Sequence, residues 1–151
     1  MKRIEWEQYF VALSKITAMR SKDPNTKVGA IIVNDRNRIL SLGYNGMPNG
    51  DDSFPWSREA EKDKDKKYPY VIHAEINAVL NASSDLRGTT MYTTLFPCSN
   101  CAKFIVQTGI TRICYISNMY EGTEDHEISE FILKKGNVAM QQVKDIEITL
   151  N

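Results

Sequence analysis

The sequence predicts an α/β fold, a three-layer α/β/α sandwich on a mixed five-stranded sheet, and three observations predict it. Short β-rich runs alternate with segments of helical period, in the order α-β-β-α-β-α-β-α-β. The first two strands are parted only by the turn Asn34–Asn37, so they form an antiparallel hairpin. Helices separate the later strands, which therefore lie parallel and are joined by right-handed crossovers. The 151 residues suit one domain, 1–151, and show no internal repeat.

Ile4 to Met19 form an amphipathic helix. Trp6, Tyr9, Phe10, Leu13, Ile16 and Thr17 recur at three- and four-residue steps and are expected to face inward. Arg20 to Asn25 is a turn, because Pro24 disfavours a helical Asp23. Val28–Val33 is a strand whose near-unbroken apolarity implies burial on both faces, and Arg38–Tyr44 returns as its hairpin partner. Asn45–Gly50 contains two Asn-Gly steps and a proline, the mark of a tightly shaped loop. The loop runs on to Lys67, a length that usually signals function. Within it Glu59–Lys67 is almost wholly charged and reads as a solvated, mobile face.

Ala74–Ala82 is the next helix, with Ile76, Val79 and Leu80 inward. Thr89–Leu95 is the third strand. Ser99–Thr108 is a helix entered just after Pro97 and stopped at Gly109, with Phe104 and Ile105 inward. Arg112–Ile116 is the fourth strand and Ser117–Asp125 a loop. Glu127–Lys134 is a helix, and Val138–Val143 the fifth strand, followed by an apolar tail, Ile146–Leu150.

Composition narrows the function classes. Hydrophobic residues make up 42% and charged residues 25%, ordinary for a globular protein. The formal net charge is zero, which speaks against nucleic-acid binding through counterion release. No apolar run approaches the roughly 18 residues that would span a bilayer. Glu5, Glu7 and Gln8 interrupt the N-terminal stretch too early for a signal peptide, so a cytoplasmic protein without a membrane partner is expected.

The chemistry concentrates in His73-Ala74-Glu75 and Pro97-Cys98-Ser99-Asn100-Cys101. A catalytic zinc takes three protein ligands and keeps one position for water. His73, Cys98 and Cys101 supply three. Cys98 and Cys101 lie three apart at a helix start, where both sulfurs share a face and the helix dipole favours thiolates. A structural site would want a fourth Cys or His. Cys114 sits in an apolar strand and reads as a buried small hydrophobe. His126 sits in a polar loop and reads as solvated. The metal position therefore stays open, with one Zn2+ per chain. At a helix entry His73 is still non-helical, so Glu75 reaches the same pocket. There it is placed to move a proton between a zinc-bound water, a ring nitrogen and a leaving amine.

His-x-Glu followed by Pro-Cys-x-x-Cys resembles the zinc deaminase signature. The flanking stretches sharpen the resemblance: Arg20-Ser-Lys-Asp-Pro24, Val28-Gly-Ala30, Gly43-Tyr-Asn-Gly-Met-Pro-Asn-Gly50 and Tyr68 to Ala78. With Leu95 to Lys103 and Gly109-Ile110, these make the chain similar to the deoxycytidylate (dCMP) deaminases of the cytidine deaminase superfamily. The resemblance implies hydrolysis of dCMP to dUMP and ammonia, supplying thymidylate synthesis. It implies a homohexamer activated by dCTP and inhibited by dTTP, with Mg2+ on the effector nucleotide. It places zinc on His73, Cys98 and Cys101, with Glu75 as the proton shuttle. It also places substrate contacts on Asn45 and Tyr120. Lys22, Asn45, Gly46, Met47, Pro48 and Asn49 are candidates for the effector nucleotide. Arg20, Ser21 and Lys22 are alternatives for a phosphate. The extra Cys and His residues with which some members hold a second, structural zinc are absent. Two other readings stay open, a tRNA adenosine deaminase-like enzyme and a catalytically silent nucleotide-sensing module. Zero net charge speaks against the first and Glu75 against the second.

Overall fold

The computed structural model of the chain describes residues 2–151. Four helices, α1 (Trp6–Ala18), α2 (Ala74–Asn81), α3 (Ser99–Thr108) and α4 (Glu124–Lys135), pack on five strands. The strands are β1 (Gly29–Val33), β2 (Ile39–Tyr44), β3 (Thr90–Leu95), β4 (Arg112–Ser117) and β5 (Ala139–Gln142). Their order across the sheet is β2-β1-β3-β4-β5. β1 is antiparallel to both β2 and β3, whereas β3–β4 and β4–β5 are parallel. The element order and mixed sheet are those expected from the sequence.

Successive strand residues point to opposite faces, and the core divides accordingly. Ile31, Val33, Tyr92 and Cys114 face α1, together with Phe10 and Val11. Ala30, Ile32, Met91 and Ile113 face the other way, into the larger cluster that includes Ala78, Ala102, Ile105 and Leu133. The sandwich is thus lopsided, with α1 and the tail residues Val143 and Ile146 on one face and α2, α3 and α4 on the other. Lys15 Nζ donates to Asp145 Oδ1 at 2.7 Å and fastens the tail to α1. The apolar tail forms no regular element.

The helices bury many small residues against the sheet and leave several of their largest apolar ones outside. On α1 the buried residues are Phe10, Val11, Ser14, Thr17 and Ala18, while Trp6, Tyr9 and Ile16 are exposed. On α2 they are Ala74, Glu75 and Ala78, and Leu80 is 67% exposed. On α3, Cys101, Ala102 and Ile105 are buried and Phe104 is exposed. The expected inward faces are corrected at these positions, and on α1 and α2 the reason is close approach. A Cβ at Gly29 would lie 2.1 Å from the Ser14 carbonyl oxygen, and one at Gly43 would lie 2.4 Å from the Ala78 nitrogen. With helix and strand backbones this near, only glycine, alanine and serine fit between them.

α4 begins three residues earlier than its hydrophobic pattern suggests. The Thr123 side chain accepts from the His126 amide, and Glu124, Asp125 and Glu127 fill the first turn, where the helix dipole favours acids. His126 is therefore a buried helical residue and not a solvated loop residue.

Candidate active site

Two helix N-termini meet at the carboxyl end of the sheet. His73 caps α2 in an extended conformation (φ −69°, ψ 154°), and Cys98 caps α3 in a similar one (φ −70°, ψ 168°). Cys101 lies in the first turn of α3, and Pro97 stands one residue before the cap. Ser129 of α4 donates to the Pro97 carbonyl at 2.8 Å and fixes that entry. His73 Nδ1 is 3.2 Å from Cys101 Sγ and 3.4 Å from Cys98 Sγ. All three ligand atoms lie within 4.8 Å of one another.

A tetrahedral shell with metal–ligand distances of about 2.0–2.3 Å places its ligand atoms roughly 3.3–3.8 Å apart. One imidazole nitrogen and two sulfurs at these separations suit zinc, and the donor set fits it. Among the described residues no other group of three metal-capable side chains occurs. Cys114 lies on the α1 face of the sheet, as expected of a small hydrophobe. His126 holds both ring nitrogens on other partners, Nε2 at 2.6 Å from Asn118 Oδ1 and Nδ1 at 3.0 Å from Glu130 Oε1.

The protons are unequally shared within the cluster. The Cys98 thiol, hydrogen-bonded to Cys101 and His73, falls to about 4, against the opposing effect of burial. The same Cys98 contact, with burial, pushes the Cys101 thiol up. Contact with Cys98 raises His73, partly offset by burial. Glu75 is 3% exposed, and that burial raises its pKa. Its Oε1 lies 3.5 Å from Thr93 Oγ1 of β3.

His73, Glu75 and Cys98 line one end of a cavity of about 440 Å³. The non-helical His73 allows Glu75, two residues on, to open into the same space, as the sequence suggested. Asn45 and Tyr120 line the cavity too. A profile of the cytidine and deoxycytidylate deaminase zinc-binding region matches residues 4–117. The chain belongs to that family. It is 47% identical over 142 residues to a deoxycytidylate deaminase of Mus musculus, covering 92% of the chain and 80% of that protein. It is 46% identical over 142 residues to the Homo sapiens deoxycytidylate deaminase, with the same coverage. Among solved structures it resembles the dCMP deaminase of cyanophage S-TIM5 in complex with dCMP and dUMP. That match has a TM-score of 0.75 and 25% identity, covering 95% of this chain and all of the phage chain.

Asn45 is built into the wall of the deaminase cavity. Its Oδ1 accepts from the Val28 amide at 2.8 Å, and its Nδ2 donates to the Thr26 carbonyl at 2.9 Å and faces Asp23 Oδ2 at 3.4 Å. Both amide hydrogens are thus engaged, which leaves the second lone pair of Oδ1 to accept from a ligand. Tyr120 is 43% exposed, three residues beyond β4.

The charged loop holds a residue that its sequence disguises. Lys67 is not solvated. Its Nζ is 2.5 Å from Asp23 Oδ2, and their side chains are only 9% and 0% exposed. Its amide donates to the Ser57 carbonyl, and its carbonyl accepts from Tyr70 and Val71. The expectation of a freely solvated run is corrected at this position, because one lysine in it neutralises a buried carboxylate. No pattern in the run distinguishes Lys67 from its neighbours. Arg58, Asp125 and His126 also line the cavity and were missed. Asp125 accepts from Ser99, from the amide at 3.1 Å and from the hydroxyl at 2.6 Å, and so joins α4 to the start of α3.

A second cavity of about 240 Å³ adjoins the first at Asn45. Arg20, Lys22, Gly46 and Met47 line it, whereas Pro48 and Asn49, expected there, are not among its lining residues. Lys22 is held by Asp52 Oδ1 at 2.6 Å. No helix among the described residues is long and apolar enough to cross a membrane.

Proposed function

We propose that this deaminase hydrolyses dCMP to dUMP and ammonia and so supplies dUMP for thymidylate synthesis, with one domain, 1–151, carrying the activity. The observation that carries the reading is the His73, Cys98 and Cys101 cluster with buried Glu75 beside it, opening into one cavity. Zinc held by those three residues supplies a water acidic enough to ionise near neutral pH. Glu75 takes one proton from the attacking water and delivers it to the ring nitrogen N3 of cytosine, then takes the second from the hydroxyl left on C4 and delivers it to the leaving amine. A carboxyl in this position works as a shuttle because it accepts and hands on each of the two protons in turn within one buried space. Asn45 Oδ1 accepts from a sugar hydroxyl, and Tyr120, lining the same cavity, contacts the substrate.

The reading extends to control and assembly. The second cavity, sharing Asn45 with the first, suits an effector nucleotide, dCTP as activator and dTTP as inhibitor, with Mg2+ on the triphosphate. Arg20 supplies positive charge there, and Lys22 would add to it on leaving Asp52. The assembly is a homohexamer working in the cytoplasm.

The test is direct. Purified protein incubated with dCMP, with and without dCTP, should lose the cytosine absorbance and accumulate dUMP. Absence of dUMP under every effector condition refutes the reaction. Deamination of adenosine in tRNA instead would favour the alternative enzyme, and nucleotide binding without turnover the sensing module.

A further inference from the structure

The cytosine end of the proposed substrate has its partner in Glu75, beside the metal ligands His73 and Cys98, but the 5′-phosphate has none so far. A dianion in a cavity requires a positive charge that is not already committed. Apart from the histidines, two cationic side chains line the cavity, Arg58 and Lys67. Lys67 is committed to Asp23 in a pair shut away from solvent. Drawing it to a phosphate would strand Asp23 as a buried carboxylate with only amide partners. Of the neighbouring cations, Lys66 is paired with Asp63 and Lys22 with Asp52, and Arg20 lines the second cavity and not this one. Arg58 is exposed at the cavity wall and makes no ion pair or side-chain hydrogen bond among the described residues.

The backbone around Arg58 is fixed although its side chain is not. The Ser57 carbonyl accepts from the Lys67 amide at 2.8 Å, which anchors the Arg58 turn to the buried ion pair. The Glu59 amide donates to Ser57 Oγ at 3.2 Å, and that hydroxyl donates to the Glu59 carbonyl. A guanidinium presents a planar fork that matches two phosphate oxygens. We propose that Arg58 grips the 5′-phosphate of the substrate and makes the enzyme prefer a nucleoside monophosphate to a nucleoside. This rests on reading the cavity as the dCMP site. It also gives the loop 51–67 a purpose, since the loop carries the phosphate grip on a base anchored by Lys67.

The test compares paired ligands that differ only in the phosphate. For wild type, Arg58→Ala, Arg58→Lys and the same-loop control Lys66→Ala, kcat/KM is measured on dCMP and on deoxycytidine. Affinities for dUMP and deoxyuridine are measured by calorimetry. Arg58→Ala should lower kcat/KM on dCMP about 10- to 100-fold, mostly through KM, and weaken dUMP by a similar factor. Deoxycytidine and deoxyuridine should change little, Arg58→Lys should fall between, and Lys66→Ala should resemble wild type. Equal losses with and without the phosphate, or unchanged dCMP and dUMP, overturn the assignment. A wild type that binds dUMP but deaminates nothing refutes the proposed reaction instead, and the dUMP-to-deoxyuridine ratio still decides the role of Arg58.

Discussion

Lys67 and Asp23 form a buried ion pair, and such pairs are costly to break because one charge is left without a partner. Lys67→Met should destabilise the fold by about 3–5 kcal/mol, and the double variant Asp23→Asn/Lys67→Met by clearly less, as read by urea unfolding. Burial raises the Asp23 pKa, but the Lys67 ammonium and the amides of Asn25 and Thr26 outweigh it, so the carboxyl sits below its ordinary value. A group with a lowered folded pKa contributes stability above its unfolded value, about 3.9, and loses it as pH falls through the folded value. The stability gap between wild type and Asp23→Asn should therefore be flat from about pH 5 to 8 and shrink below about pH 4. A gap that widens toward acid would contradict the pairing. Glu75 makes a different prediction. Glu75→Ala should keep its zinc by elemental analysis yet lose about 10²- to 10⁴-fold or more in kcat. Near-wild-type turnover would remove it from proton transfer. The two residues also differ in legibility. The chemistry of Glu75 could be read from its offset to His73, because ligand spacing is local. Lys67 reaches Asp23 across 44 residues, and nothing in a run of mixed charges says which member turns inward.

At the scale of elements, the helix and strand order was legible because hydrophobic period and turn chemistry are local properties. The inward faces were not. Ranking residues by hydrophobicity points Leu80 to the core, but on α2 the distance between backbones decides, and that distance is set by a glycine on another element. α2 rests on β2 at Gly43, where a Cβ would meet the Ala78 nitrogen at 2.4 Å and the Ala74 oxygen at 2.8 Å. These are backbone atoms that no rotamer change moves, so Gly43→Ala must displace α2. We expect overpacking of about 1–3 kcal/mol, lowering Tm by several degrees. Because His73 caps α2, zinc affinity should weaken along with stability. Competition with a chelator under conditions where the variant is folded measures that second effect, and an unchanged affinity would show that α2 and its cap move independently.

At the scale of the molecule, every helix leaves a large apolar residue outside. Trp6 is 56% exposed, Leu80 67% and Phe104 50%, so α1, α2 and α3 each turn such a side chain to solvent. Phe131 of α4 is 63% exposed. Single exposed apolar residues are common, but one on every helix of a 151-residue chain leaves much apolar surface uncovered. At roughly 25 cal/mol per Å² of apolar area, covering several such side chains stabilises an assembly against the entropy lost on association. Light scattering at micromolar concentration should give a multiple of the 17.2 kDa chain mass, with six copies expected. The oligomer should fail when an exposed contact is made charged. At least one of Trp6→Glu, Leu80→Glu and Phe104→Glu should lower the mass while leaving the circular dichroism of the folded chain intact. A monomeric wild type would mean that these residues face water in the working enzyme, and the homohexamer would have to be abandoned.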